Sequence, residues 1–357
     1  MNPSAREHAA SFAGLAPSYK APTFQDSIVA LFDSIKHPLN TTYTDASGKS
    51  FVLENQVVWT KPLGKKLLLV DIDTRAPTED NQMFNPGTLD WSELGVDGAQ
   101  LVSHAVLNHY MYAQIHGYDY KFIQAAHIED HHDTWISPHV LHSHIPDYDF
   151  VVTMDADTTI SHLEVPFEWM FNRWGITEQT SMSMPWDTVE ATPDGGTYSN
   201  DSKGVLVLNT GFMVVQNANL TMEMLQAWKD CTTETRYPGC GRWKEEWSHE
   251  QRAFSEYIRY DFNPTGKNIV AIPCDEAMGW PGMLEDNENR ITSNCSGQFI
   301  RHHTLKKNMA KTSGAETVME ALAQIVQKSL LSRKADVYVD EAATTLSLDT
   351  TEIDTTI

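Results

Sequence analysis

Apolar runs of strand length alternate with helical periodicity through the first half of the chain. Continuous apolar stretches in "KKLLLVDID" and "DFVVTMDADTTI" are typical of strands covered on both faces, and "FVLENQVVW" and "YDYKFIQ" are two further predicted strands. Apolar residues recur at helical spacing over 99–116, where Gly117 is expected to end the helix, and shorter helices are predicted within 134–145 and in "EVPFEWMFNRWG". This β-α alternation predicts an α/β fold with a mainly parallel sheet flanked by helices.

The second half of the chain continues the pattern with shorter elements. "GVLVLNTGFMVVQN" is predicted to form two apolar strands around a polar Asn-Thr-Gly corner, followed by helices near 219–230 and 247–260, strands in "NIVAI" and "GQFIRHH", and a helix over about 315–332. No basic residue follows Lys334, so the acidic end is expected to be disordered. The predicted organisation is an N-terminal extension (1–50), one α/β domain (51–334) and an acidic tail (335–357).

Two carboxylates follow the apolar strand "DFVVTM". Asp155 and Asp157 stand there one residue apart, and in open α/β sheets ligands bind beyond the carboxyl ends of the strands. Burying two neighbouring carboxylates is unfavourable unless a cation lies beside them. Hard oxygen ligands favour Mg²⁺ or Mn²⁺ over zinc, and these ions typically hold substrate phosphates.

The Asp-X-Asp pattern alone has low specificity, because the chain contains two further copies. Asp147 and Asp149 precede a strand and are most simply solvated loop residues. Asp71 and Asp73 end the strand "KKLLLVDID", so either is a candidate ligand contact, for example to a nucleoside.

The net charge of the chain limits the classes of partner that it can bind. The formal net charge of -22 argues against a nucleic-acid backbone or an anionic membrane surface as the main partner, because both would repel the chain. An acidic protein that handles phosphates needs a cation to do so. No apolar run reaches the ~18 residues that span a bilayer, and the N-terminal segment lacks the apolar stretch of a signal peptide.

Cysteines and glycosylation sequons bear on the compartment. The cysteines lie in the second half without CxxC spacing, which disfavours a zinc cage; they are free buried thiols or two disulfides, most simply Cys231 with Cys240 and Cys274 with Cys295. Asn-X-Ser/Thr sequons give weak support to a secretory lumen, and they stand at Asn40, Asn200, Asn219 and Asn294.

The segments "YDFVVTMDADTTI", "LNTGFMVVQNANLTMEMLQAW", "WSHEQRAFSEYI" and "FIRHHTLKK", in this order and spacing, resemble the metal-dependent nucleotide-sugar glycosyltransferases of the GT-A fold. The group most similar is glycosyltransferase family 34, which contains fungal galactosyl- and mannosyltransferases and plant xyloglucan xylosyltransferases. The upstream "NHYMYAQIHGYDY" resembles the first helix and second strand of that group. The resemblance spans about residues 65–310. It implies that 51–334 form one GT-A catalytic domain with a Rossmann-like nucleotide-binding half.

The resemblance implies a metal site with Mn²⁺ or Mg²⁺ as the cofactor. Asp157 matches the second Asp of the family motif, which ligates the metal, while Asp155 matches the first, which faces the ribose or donor sugar and is a further candidate ligand. His302 matches the C-terminal His that completes the metal site, and Lys307 matches a basic residue near the diphosphate. His303, one position further on, is more simply a core or surface histidine.

Further matches imply contacts with the donor sugar. Asn209 and Gly211 match the Asn-Thr-Gly corner, where glycine lets the backbone approach the sugar. Glu250 and Gln251 match an acidic-Gln pair beside the anomeric carbon and are the candidate catalytic residues, since nearby oxygens stabilise an oxocarbenium-like centre; the alternative for Glu250 is an ordinary acid in a first helical turn. Asp187, after "SMPW", is a candidate donor contact or a turn former.

The implied activity is the transfer of a hexosyl or pentosyl group from a UDP- or GDP-sugar to a glycan acceptor, with retention of configuration. Two departures from the family pattern, Ser137-Pro138 in place of a Lys and Leu305 in place of a Gly, fall near the diphosphate and bear on donor identity. Relatives are Golgi proteins with an N-terminal membrane anchor that this chain does not show. The expected compartment is the Golgi lumen, with the cytoplasm as the alternative.

Other functions remain as alternatives. An inactive nucleotide- or carbohydrate-binding relative would lose the metal ligands, and a two-carboxylate hydrolase would need neither metal nor nucleotide. Trp243, Trp247 and Trp280 are candidates for stacking on an acceptor sugar, although most Trp residues of such a chain belong to the core. A histidine-rich segment is the alternative metal site, for zinc or copper: His131, His132, His139, His142 and His144. These histidines lack HExxH-like spacing, and the polar face of a helix explains them more simply.

Overall fold

A six-stranded mixed sheet forms the centre of the computed structural model, which describes residues 21–341. Its strands in spatial order are β4 (Asp119–Gln124), β3 (Leu67–Asp73), β5 (Phe150–Met154), β8 (Phe212–Gln216), β7 (Met182–Pro185) and β9 (Ile269–Ile272). β8 runs antiparallel to both of its neighbours, and the other pairings are parallel. Two small antiparallel pairs accompany this sheet, β1 (Tyr43–Thr44) with β2 (Ser50–Phe51) and β6 (Thr158–Ile160) with β10 (Ile300–His302).

Helices cover the sheet and confirm the predicted α/β class. α2 (Gly98–His116) packs on β3 and β4, α3 (Ile136–His144) packs on α5 (Thr221–Lys229), and α10 (Met309–Ser332) packs on α2 and β6. α2 ends where predicted, because Gly117 adopts φ 76°, a left-handed conformation that only glycine enters freely. The other helices are α1 (Phe24–Phe32), α4 (Phe167–Arg173), α6 (His249–Ala253), α7 (Arg259–Asp261), α8 (Cys274–Ala277), α9 (Met283–Asp286) and α11 (Lys334–Val337).

Successive residues of β3 enter two different cores. Leu67 and Leu69 pack with aromatic side chains of α2 and α4, whereas Leu68 and Val70 pack with α3 and α5. Both faces of the sheet are therefore covered, which is why the strand is apolar at consecutive positions. Each such side chain contributes about 1.5–3 kcal/mol to folding.

Two predicted strands are wrong. "FVLENQVVW" contributes only Phe51 to β2, and the Asn172 side chain instead accepts hydrogen bonds from the backbone of Val58 and Trp59. The segment 204–208 forms isolated bridges rather than a strand. Apolar β-branched residues give both segments the local signal of a strand, but neither has a continuous partner to pair with.

Several apolar side chains from residues 24–51 pack in the main core. Ile28, Phe32 and Tyr43 share a cluster with Leu67 of β3, so part of the predicted N-terminal extension packs against the predicted α/β domain. Residues 1–20 of the predicted extension and 342–357 of the predicted tail lie outside the described residues. Within 21–341, no helix is both long and apolar enough to cross a bilayer.

Two disulfides join the cysteines in the simpler of the pairings that the sequence allowed. Cys231 bonds to Cys240, and Cys274 bonds to Cys295. The second bond ties the start of α8 to the segment that leads into β10.

Candidate metal and donor site

Three polar segments meet at one edge of the main sheet. Asp155 and Asp157 lie just beyond the end of β5, and Asp187 lies just beyond β7. Because β8 runs antiparallel to both strands, its beginning brings residues 209–211 to the same edge. The amide of Asp155 donates to the carbonyl of Gly211 at 2.8 Å, so the Asn-Thr-Gly corner lies against the two carboxylates.

The small β6–β10 sheet brings His302 to this edge. β6 directly follows Asp157, and its pairing with β10 sets His302 opposite Thr158. Nε2 of His302 lies 3.2 Å from Oδ1 of Asp157 and 3.8 Å from Oδ2 of Asp155. The three side chains that the sequence proposes as metal ligands therefore converge.

The converging side chains fit a divalent cation. Ligand atoms of Asp155, Asp157 and His302 all lie within 4.8 Å of one another, and among residues 21–341 no other group of three His, Cys, Asp or Glu does so. Adjacent ligands of an octahedral ion with bonds of about 2.1 Å lie about 3 Å apart, close to the Asp157–His302 separation. Two carboxylates and one imidazole are compatible with a divalent metal ion.

Opposite charges favour the ionised forms of Asp157 and His302, two of the three side chains. Asp157 and His302 are both buried, which opposes charge on each, but His302 and Lys307 lower the pKa of Asp157 well below its usual range. Burial likewise opposes protonation of His302, and the neighbouring Asp157 outweighs it and raises the pKa of the imidazole. Nζ of Lys307 lies 3.2 Å from Oδ2 of Asp157 on a side chain that is 58% exposed, so its charge also faces the cleft.

The His302 ring occupies the space that a side chain on residue 211 would fill. A Cβ atom on Gly211 would lie 2.2 Å from Cε1 of His302, far inside van der Waals contact. The sequence predicts that glycine here lets the backbone approach a sugar. The structure adds a second reason, because only glycine admits the imidazole.

Gly211→Ala should displace His302 and weaken Mn²⁺ binding at least tenfold. It should also destabilise the fold by about 1–3 kcal/mol, because the added methyl overpacks a buried site. Gly314→Ala is the matched control: a Cβ there, inside α10, meets no atom within 4 Å, so alanine should stabilise the helix by about 0.5–1 kcal/mol. Calorimetric Mn²⁺ titration and urea unfolding measure both effects. Equal Mn²⁺ affinities in the two variants would contradict this role of Gly211.

Glu250 and Gln251, at the start of α6, bond to the Asn-Thr-Gly corner. The amide of Thr210 donates to Oε1 of Gln251 at 3.1 Å, and its hydroxyl donates to Oε1 of Glu250 at 2.8 Å. The hydroxyl of Thr134 donates to the other oxygen of Glu250. Sequence reasoning missed both threonines, since a hydroxyl in a loop follows no recognisable spacing.

The acidity of Glu250 is shifted toward neutral pH. Burial raises the pKa of its carboxyl to about 7, although the Thr134 and Thr210 hydroxyls favour the ionised form. A carboxyl with this pKa exchanges a proton near neutral pH, which is the property of a general acid or base.

Asp187 joins the corner to α6. Nε2 of Gln251 donates to its Oδ2 at 2.9 Å, and Nδ2 of Asn209 donates to its Oδ1 at 3.2 Å. The amide of Gln251 is therefore fixed at both ends. The structure connects all the residues that the sequence proposes for the donor sugar into one hydrogen-bonded network.

Two adjoining cavities form the cleft above this edge of the sheet. The strand-end cavity, of about 380 Å³, lies beyond β3 and β5 and includes Asp73, Thr74 and Arg75. The helix-side cavity, of about 390 Å³, lies beside α6 and includes Asp187, Asn209, Trp247, Glu250 and Gln251. Asp155, Asp157 and Lys307 line both cavities, so the candidate metal site lies where they meet.

Asp71 lines neither cavity. Its buried carboxylate accepts from the Tyr120 hydroxyl and lies 2.7 Å from Nδ1 of His109. Asp73, at the end of the same strand, does line the strand-end cavity, where Arg75 bonds both of its oxygens at 2.8 and 2.6 Å. The position of Asp71 therefore does not support the direct donor contact that the sequence suggests, and Asp73 takes its place as the candidate.

The histidine-rich segment has other partners. Nε2 of His131 lies 2.9 Å from the Thr232 hydroxyl, and Nδ1 of His144 lies 2.9 Å from the carbonyl of Val140. The ring of His132 stacks on that of His249 at 3.7 Å. His303 is buried against Trp280 and belongs to the core.

Neither the known protein-family profiles nor the curated protein sequences match this chain. Several solved structures that it resembles are glycosyltransferases. One is a glycosyltransferase involved in glycosylation of the major capsid of PBCV-1, at 10% identity over 70% of this chain and 98% of that one, with a TM-score of 0.44. Mouse xyloside xylosyltransferase 1 shares 9% identity over 67% and 98%, with a TM-score of 0.35.

A structure of another kind is also similar. It is 4-diphosphocytidyl-2C-methyl-D-erythritol synthase from Anaerococcus prevotii, with 9% identity over 58% of this chain and 87% of that one and a TM-score of 0.30. Similarities of this extent do not assign a function, which must come from the site.

Proposed function

We propose that this protein is a metal-dependent glycosyltransferase that moves a hexosyl or pentosyl group from a UDP- or GDP-sugar to a glycan acceptor, with retention of configuration. The observation that carries the proposal is the convergence of Asp155, Asp157, His302 and Lys307 where two cavities meet. Cleavage of a nucleotide sugar leaves a diphosphate anion, and this junction concentrates the groups that would offset its charge. The resemblance to family 34 points to the same chemistry.

The residues divide their roles along the cleft. The strand-end cavity, beside Asp73, would take the nucleoside, and Lys307 would pair with the diphosphate through its exposed ammonium group. A divalent ion held by Asp155, Asp157 and His302 supplies Lewis-acid stabilisation of the leaving group when bound.

The sugar would lie at the helix-side cavity. Asp187 and the backbone amide of Thr210 fix the side-chain amide of Gln251 before any donor arrives, so little ordering remains to be done on binding. Glu250, with a pKa of about 7, is ionised in part of the molecules at neutral pH. Its carboxylate would stabilise positive charge that develops at the anomeric carbon.

A thermal-shift screen tests the proposal. Mn²⁺ with UDP or GDP at about 100 times the Kd should raise the free energy of unfolding by about 2.7 kcal/mol, which shifts Tm by several degrees. EDTA should reverse the shift, and ADP and CDP are the nucleotide controls. Both UDP and GDP belong in the screen, because Ser137 and Leu305 line the cleft at the positions that depart from the family.

The same screen separates the alternatives. Stabilisation without hydrolysis of any radiolabelled nucleotide sugar would favour an inactive binding relative. Absence of a response to every nucleotide, with and without Mn²⁺, would contradict the transferase and favour the two-carboxylate hydrolase.

We propose the secretory lumen, as in the Golgi, as the compartment of this protein. Both disulfides support an oxidising environment. The sequon residues Asn40, Asn219 and Asn294 are exposed and open to glycosylation. Mass analysis for glycans at these residues tests the compartment, and their absence from protein isolated from its source would count for the cytoplasm.

A further inference from the structure

One large apolar side chain at the helix-side cavity is not used by the core. Trp247 is 78% exposed, the largest exposed fraction of any large apolar side chain within 21–341, and it lines this cavity. Trp243 and Trp280, the other candidates for stacking, are 5% and 1% exposed and belong to the cores. Leaving an indole in water forfeits about 25 cal/mol per Å² of apolar surface. A Trp exposed at a cavity wall is therefore a candidate ligand contact.

One neighbouring aromatic ring contacts Trp247. Its ring packs edge-on against His249, with centroids 5.7 Å apart and planes at 78°. His249 in turn stacks on His132 at 3.7 Å, and both histidines line the same cavity. Most of the Trp247 ring therefore remains available to a ligand.

Tyr198 is a second exposed aromatic residue at the same cavity, with an exposed fraction of 57%. Arg252 fixes its loop by donating to the carbonyl of Tyr198 at 2.8 Å and to that of Asn200 at 2.5 Å. Arg252 directly follows Gln251 in sequence. The segment 247–252 therefore positions both aromatic residues together with the candidate catalytic pair.

We infer that Trp247 and Tyr198 form a platform for the acceptor, on which one pyranose ring of the glycan stacks. This assignment rests on the proposed transferase function and adds the residues that select its second substrate. One face of a pyranose is a row of C–H groups that packs on an aromatic ring, while its hydroxyl edge needs hydrogen-bonding partners. Glu190 and Arg290 supply such partners on the wall of the cavity, where they pair at 2.7 Å with side chains 31% and 54% exposed.

A saccharide suits this surface better than a protein does. Both rings line a concave cavity of about 390 Å³, a size typical of small-ligand sites. A stable protein interface buries about 800 Å² on each partner and is centred on a broader surface.

Saturation-transfer NMR on the full chain tests the platform without any nucleotide. The probes are methyl glycosides of the common hexoses and pentoses and their α- and β-linked disaccharides. Wild-type protein is expected to transfer saturation to C–H protons of at least one probe, Trp247→Ala to reduce that signal at least fivefold, and Trp247→Phe to reduce it less. Tyr338→Ala is the matched control, because Tyr338 is 62% exposed and lines neither cavity. It should behave as wild type.

The thermal-shift screen with Mn²⁺ and UDP or GDP, run on the same variants, measures nucleotide binding separately from saccharide binding. Trp247→Ala is expected to keep the wild-type shift, which also shows that it is folded. Equal saccharide signals in wild type and Trp247→Ala, or no saccharide signal from wild type, overturn the platform whatever the nucleotide result. Saccharide binding that depends on Trp247 in a protein without nucleotide response would refute the transferase function and leave the platform standing.

Discussion

Asp157→Asn should abolish both the Mn²⁺-dependent stabilisation by nucleoside diphosphates and sugar transfer. Asparagine keeps the shape of the side chain but removes the charge that lies 3.2 Å from both Nε2 of His302 and Nζ of Lys307. Because hard divalent ions need anionic oxygen ligands, we expect Mn²⁺ affinity to fall at least about 100-fold and transfer at least about 1000-fold. Calorimetric Mn²⁺ titration and steady-state transfer rates measure the two effects.

The ion-free protein should also lose stability in this variant. Asp157 is buried and pairs with His302 at 3.2 Å, and loss of this charged hydrogen bond should cost about 1.5–3 kcal/mol. Asp149→Asn is the matched control, since Asp149 ends another Asp-X-Asp pattern but pairs with Lys66 on side chains 52% and 69% exposed. Its loss should cost less than about 1 kcal/mol and leave Mn²⁺ binding unchanged. Normal Mn²⁺ affinity in the Asp157 variant would exclude the proposed ligand set.

Glu250→Gln should lower transfer by at least about 100-fold while stabilising the folded protein at neutral pH. The activity falls because the amide carries no charge and exchanges no proton at the sugar. Both partners of Glu250 are hydroxyls, of Thr134 and Thr210, which can accept as well as donate. The glutamine therefore keeps its hydrogen bonds, and the variant should fold normally.

The stability gain has a defined pH dependence. Burial raises the pKa of Glu250 from 4.5 to about 7, so the folded state prefers the protonated carboxyl. Below pH 4.5, the ordinary pKa, Glu250 is protonated in both the folded and the unfolded state, so its ionisation should not make wild type and Glu250→Gln differ in stability. Between pH 4.5 and about 7 the wild type should lose stability as pH rises. Above this range the variant should be more stable by about 3 kcal/mol. Urea unfolding of the metal-free proteins at several pH values measures the difference, and a constant difference would refute the assigned pKa.

Glu168→Gln provides the opposite control. Glu168 is also buried, but it accepts from the amide of Leu63 and the hydroxyl of Tyr118 and lines neither cavity. The Tyr118 hydroxyl already accepts from the backbone amide of Phe167, so an amide NH2 in place of the Glu168 oxygen would leave the Tyr118 O–H without an acceptor. The substitution should therefore cost about 1–3 kcal/mol without reducing transfer. Activity loss in both Glu variants would indicate a shared effect on folding rather than a role for Glu250 in the reaction.

The strands beside the site could be predicted because both of their faces are buried. Leu67 to Val70 are apolar at consecutive positions, and the change to charge at Asp155 marks the point where the next strand leaves the core. The location of the two carboxylates at a sheet edge follows from this pattern alone. Their proposed role as metal ligands rests in addition on the unfavourable burial of two neighbouring carboxylates.

Strand pairings between distant segments could not be predicted from the sequence pattern. β6 and β10 have three residues each, too few for a periodicity, so the approach of His302 to Asp157 could be expected only from the family resemblance. The antiparallel direction of β8 could not be predicted from the sequence either, since an apolar run looks the same in a parallel and an antiparallel strand. Asp71 shows the converse, because a strand-end carboxylate that looks like a ligand is already satisfied by His109 and Tyr120.

The pairing of β6 with β10 makes the order of synthesis matter. Asp155 and Asp157 emerge from the ribosome early, as adjacent like charges, and the imidazole that completes their site emerges only after a further long stretch of chain has been made. Closing so long a loop precedes any cation capture that needs all three ligands. A chain that has not yet reached β10 therefore lacks the imidazole of the proposed metal site.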